Sequence, residues 1–83
     1  MSFDVQFSLE SAAELVRITG VVGSAVKVLQ AADKIRLKLQ NDPSDQGEFL
    51  SEGLYFIDEI PLRAFYLIDV ESMMVEVTDF RIL

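Results

Sequence analysis

Hydrophobic and polar positions alternate strictly at the start of the chain. Phe3, Val5, Phe7 and Leu9 point one way, while Asp4, Gln6 and Ser8 point the other. That period of two predicts a half-buried strand over residues 1–9. Ser8 and Ser11 then both offer helix N-caps, and Ser11 with Glu14 three residues on makes a capping box. A first helix is expected through about Thr19, with Ala12, Leu15, Val16 and Ile18 available to the core and Gly20 as its terminator. A second helix starts near Gly23 or Ser24. Its apolar positions Val21, Ala25, Val28, Ala32, Ile35 and Leu39 step by four and three, which is one helical stripe.

Lys27, Lys34, Arg36 and Lys38 fall largely off that stripe, which reads as a solvated face. Asn41, Asp42 and Pro43 stop the helix, because the residue before proline is pushed out of helical space. Residues 41–48 form the most polar stretch. Residues 49–52 fit a short strand or the end of that loop, and the pattern does not choose between them.

From Leu54 the pattern is extended again. Strands are expected over Leu54 to Glu59, Leu62 to Ile68 and Met74 to Arg81, with reversals at Ile60–Pro61 and at Val70 to Met73. In the middle strand Leu62, Ala64, Tyr66 and Ile68 share one face, and Arg63, Phe65, Leu67 and Asp69 share the other. In the last strand Val75 and Val77 oppose Met74, Glu76, Thr78 and Phe80. If two helices cover one face of the sheet, Phe65, Leu67 and Phe56 are left toward water. Exposed apolar surface of that kind marks a partner site.

Composition narrows the chemistry. With 83 residues the chain makes one domain, residues 1–83, of α+β class. It has neither Cys nor His, which removes disulfides, zinc–thiolate sites and the commonest general base. No metal or other cofactor is expected: Asp58, Glu59, Asp69, Glu71 and Glu76 lie scattered without metal-loop spacing. The start MSFDVQFS lacks a signal-peptide pattern, and no run is long enough to span a membrane, so a cytoplasmic location is the expectation. Fourteen acidic against seven basic residues give a net charge of -7, which argues against free nucleic acid as a ligand.

The order strand, helix, helix, three strands, with GLYFIDEIPLRAFYLID over residues 53–69, resembles the RelE/ParE superfamily of toxins from bacterial toxin–antitoxin modules. The resemblance lies in VQFSLESAAEL, in the Asn-Asp-Pro stop, and in Gly53, Leu54, Tyr55, Arg63, Ala64, Tyr66, Ile68 and Asp69. It implies a twisted, mainly antiparallel sheet with two helices packed on one face. It also implies an antitoxin that wraps the protein and, in one branch, metal-independent cleavage of messenger RNA on the ribosome. Arg63 stands at the family's arginine position. Phe56, Asp58 and Leu67 stand where basic residues are common, and the C-terminal catalytic motif falls on Ile82 and Leu83.

Those departures favour a toxin component, or a degenerate relative, that works by binding protein through Phe56, Asp58, Arg63, Phe65 and Leu67. The alternative is a ribosome-dependent ribonuclease using Arg63, Tyr66 and Arg81, provided that Arg81 turns onto the face of Arg63. A third reading is a small homodimeric domain closed by the exposed sheet face. Gyrase or the ribosome are the targets the family suggests. Against a phosphate-binding role, Arg63 can instead pair with Asp58 or Glu59 across the hairpin.

Overall fold

The computed structural model describes residues 2–21 and 23–83; Met1, which the sequence pattern includes in the first strand, lies outside them. The elements are β1 (Asp4–Phe7), α1 (Leu9–Val21), α2 (Ala25–Leu39), α3 (Pro43–Gln46), β2 (Glu48–Ser51), β3 (Leu54–Glu59), β4 (Leu62–Asp69) and β5 (Met74–Ile82). The five strands form one mixed sheet in the order β1-β5-β4-β3-β2. Strands β2 to β5 run antiparallel to their neighbours, and β1 adds parallel to β5. Residues 49–52, undecided from pattern alone, contribute most of the edge strand β2.

Helix α1 packs on β5, and α2 on β3 and β4. Leu15 and Ile18 of α1 meet Val28, Ala31, Ala32, Ile35 and Leu39 of α2 in the core. The sheet supplies Ile57, Leu62, Ala64, Tyr66, Val75, Val77 and Phe80. Val28, Ala32, Ile35 and Leu39 therefore form the expected stripe, whereas Val21 and Ala25, near the helix ends, are exposed.

Of the two caps the sequence offers α1, Ser8 is the one used, and the expected capping box, core positions and terminator are corrected. The helix begins at Leu9, two residues before the Ser11 capping box, because the Ser8 hydroxyl accepts a hydrogen bond from the Ser11 N–H at 3.0 Å. Leu9 consequently leaves the strand pattern and is exposed. Glu14 pairs with Arg17 and takes no part in a cap. Ala12 and Val16 face water. Gly20 lies inside the helix, and the left-handed position that glycine favours is Gly23, at φ 83°. Ser24 caps α2, its side chain accepting from the Lys27 N–H.

A further correction concerns β5. Between Phe65 and Tyr66 of β4 the pairing slips: Phe65 lies opposite Asp79, but Tyr66 lies opposite Val77. Thr78 is the extra residue of a β-bulge, and its hydroxyl donates to the Phe65 carbonyl at 3.3 Å. The bulge resets the alternation. Phe80, expected opposite Val75 and Val77, joins them in the core and packs edge-on against Phe7.

Candidate functional site

The helices leave one face of the sheet open, and the strand register says which side chains share it. Asp58 of β3 lies opposite Arg63 of β4, Phe56 opposite Phe65, and Leu54 opposite Leu67. Across the other side of β4, Arg63 lies opposite Arg81 of β5, Phe65 opposite Asp79, and Leu67 opposite Glu76. The bulge at Thr78 brings Arg81 to this face, since unbroken alternation from Val75 would have turned it toward the helices. The signal was present in the sequence: Val75, Val77 and Phe80 break a period of two between 77 and 80.

The two arginines stand side by side, yet each is committed. Arg63 holds Asp58 through two hydrogen bonds, Nε to one carboxylate oxygen at 2.6 Å and a terminal nitrogen to the other at 2.8 Å. This fork keeps the Asp58 carboxyl below its usual range and raises the arginine, with nearby Glu48 adding to the latter. Glu59, the other proposed partner, pairs instead with Lys38 of α2 at 2.6 Å. Arg81 reaches Asp79 at 3.3 Å. Both guanidiniums also lie over aromatic rings, Arg63 4.3 Å from the Phe56 centroid and Arg81 5.8 Å from that of Phe65. Phe56 and Phe65 pack on each other at 6.3 Å.

Tyr66 does not join this group. It points into the core on the helix side, where it is fully buried. Its hydroxyl donates to the Pro43 carbonyl at 2.6 Å, and its ring stacks on Tyr55 at 5.7 Å. Burial pushes the phenol up to about 12, with Tyr55 adding to the shift. A catalytic trio of Arg63, Tyr66 and Arg81 is thus split by the sheet itself, because adjacent residues of β4 project to opposite sides.

The register gives the open face six carboxylates, Asp4, Glu48, Asp58, Asp69, Glu76 and Asp79, against the guanidiniums of Arg63 and Arg81. Its formal charge is therefore -4. Leu67 remains 40% exposed beside the aromatic pair. Among the described residues no group of three or more His, Cys, Asp or Glu could hold a metal ion, and no helix is long and apolar enough to cross a membrane.

This architecture is the RelE/ParE-like fold. One chain of the RelBE2 toxin–antitoxin complex from Mycobacterium tuberculosis superposes with a TM-score of 0.82 at 16% identity, over 100% of this chain and 93% of that one. A chain of a chromosomal ParDE toxin–antitoxin system from P. aeruginosa gives 0.71 at 16% identity, covering 99% and 97%. A chain of the archaeal RelE–RelB complex from Pyrococcus horikoshii OT3 gives 0.62 at 13% identity, covering 99% and 96%. No protein-family model matches the sequence, and no curated protein matches it.

Proposed function

We propose that this protein is a RelE/ParE-like toxin component, or a degenerate relative of one, that acts in the bacterial cytoplasm by binding protein and does not cleave RNA. One observation carries the reading: each arginine of the open face is paired with a carboxylate of the same face, Arg63 with Asp58 and Arg81 with Asp79. Cleavage by attack of a 2′-hydroxyl develops negative charge that unpaired cations must meet. A face of net charge -4 opposes the approach of a phosphate chain before chemistry begins. The three structural neighbours come from toxin–antitoxin complexes, which supports an antitoxin as the partner.

The test is to express the protein alone and together with the product of the adjacent reading frame, mapping cleavage of translated mRNA and recovering complexes by affinity. A stable complex with no cleavage is expected. Cleavage that disappears with Arg63→Ala would overturn the reading and establish the nuclease. That second possibility has one observation in its favour, the direct cross-strand placement of Arg63 and Arg81. A homodimer closed face to face is disfavoured, since two copies would bring two net negative surfaces together.

A further inference from the structure

The open face contains a depression of about 270 Å³ at its β1–β5–β4 end, lined by Gln6, Leu67, Asp69, Met74 and Glu76. Small-molecule sites usually occupy roughly 300–1,000 Å³, so this one lies just below their range and has room for a long side chain. Its chemistry is a chequerboard set by the register. Apolar Leu67 lies opposite acidic Glu76, acidic Asp69 lies opposite apolar Met74, and Gln6 of β1 lies beside Glu76.

Among the described residues neither Asp69 nor Glu76 has an ion-pair partner. In this they differ from Asp58 and Asp79 on the same face. Hydrogen bonds from Ser72 hold the Asp69 carboxyl below its ordinary range, and its backbone contact is 3.3 Å long. Two carboxylates without ion-pair partners, beside two apolar side chains, match an alkyl stem ending in a cation. The aromatic pair Phe56–Phe65 continues the apolar surface along the sheet.

Resting on the protein-binding reading above, we infer that this depression receives a lysine or arginine side chain from a basic, extended segment of a partner protein laid across the open face. Charge selects this occupant. An acidic peptide or a nucleic acid would meet a face of net charge -4, whereas a segment alternating basic and apolar residues pairs its cations with Asp69 and Glu76 and its apolar residues with Leu67 and Phe65.

The experiment uses the full chain, labelled with nitrogen-15, and two synthetic ten-residue peptides, one alternating Arg with Leu and one alternating Glu with Leu. Only the basic peptide should bind, with amide shifts clustered at Gln6, Leu67, Asp69, Met74 and Glu76. Glu76→Gln should weaken it severalfold and Glu76→Lys at least tenfold. Glu10→Gln, an equal loss of charge on α1 away from the face, should change affinity less than twofold. Shifts centred elsewhere, equal binding of both peptides, no binding of the basic peptide, or equal effects of Glu10→Gln and Glu76→Gln would overturn the inference. Self-association that vanishes in Glu76→Lys would also overturn it, by giving the face to a second copy. The adjacent-frame product separates the two proposals. If it binds without moving these five amides, the inference fails and the protein-binding reading stands. If neither it nor the basic peptide binds, both fail.

Discussion

Tyr66→Phe separates a structural anchor from a catalytic acid with the removal of one oxygen. The ring stays buried and stacked on Tyr55, so packing is retained, and the loss is the 2.6 Å hydrogen bond to the Pro43 carbonyl. A net hydrogen bond contributes about 1 kcal/mol, and a buried carbonyl left without this partner adds to the loss, giving about 1–3 kcal/mol. For a domain of this size each kcal/mol lowers Tm by roughly 4–8 °C. Urea or thermal unfolding followed by circular dichroism measures it.

The same variant makes a pH prediction whose sign is fixed. The folded protein holds the Tyr66 phenol at about 12, above the ordinary 10.0, so it keeps its proton where the unfolded chain has lost its own. The stability tied to that proton is complete below pH 10 and is lost as pH rises toward 12. The advantage of the natural chain over Tyr66→Phe should shrink across this window. Equal stabilities at neutral pH would refute the anchor. RNA cleavage by the natural chain that Tyr66→Phe abolishes while stability is unchanged would refute the placement of this residue outside the chemistry.

Arg63→Ala should let the Asp58 carboxyl return toward 3.8 in a carbon-13 carboxyl titration. The pair stabilises above that value and loses its effect as pH falls through the folded-state pKa, so the variant should be less acid-sensitive; because solvent screens a surface pair, the change at neutral pH should be small. Asp58→Asn with Asp79→Asn frees both guanidiniums, and binding of a single-stranded oligoribonucleotide should appear in filter assays, with a log–log salt slope of about -1.4 for two phosphate contacts. If no binding appears, these carboxylates are not what keeps RNA away. At Gly47 an added Cβ would collide with the Tyr66 hydroxyl and the Phe56 backbone carbonyl. Backbone cannot swing aside as a side chain can, so Gly47→Ala should destabilise by about 1–3 kcal/mol in urea titration.

The long-period features of the chain were legible without coordinates. The α2 stripe Val28, Ala32, Ile35 and Leu39, the strands β3 and β4, and the two faces of β4 follow from spacing alone, because burial selects apolar residues at the repeat of the element. The turn at Ile60–Pro61 fell where proline placed it, although its peptide bond is cis. Local signals were less decisive at α1, where two serines could each cap the helix. Ser8 took the role because β1 delivers it to the end of the sheet, where its N–H bonds to the Val77 carbonyl.

The composition of the open face was only half visible. Phe56, Asp58, Arg63, Phe65 and Leu67 could be assigned to it from β3 and β4, since alternation there is unbroken. Arg81 and Asp79 were marked only by the break in period between Val77 and Phe80, which does not say which residue bulges, and the Leu67–Met74–Glu76 depression depends on β1 pairing with β5 from more than sixty residues away. The sequence by itself determined what each strand could bury and that positive charge is scarce. Only the tertiary structure decided which charges meet, since pairing Arg63 with Asp58 and Arg81 with Asp79, while leaving Asp69 and Glu76 without a cation, is a matter of register between strands, and register is set by packing across the whole sheet.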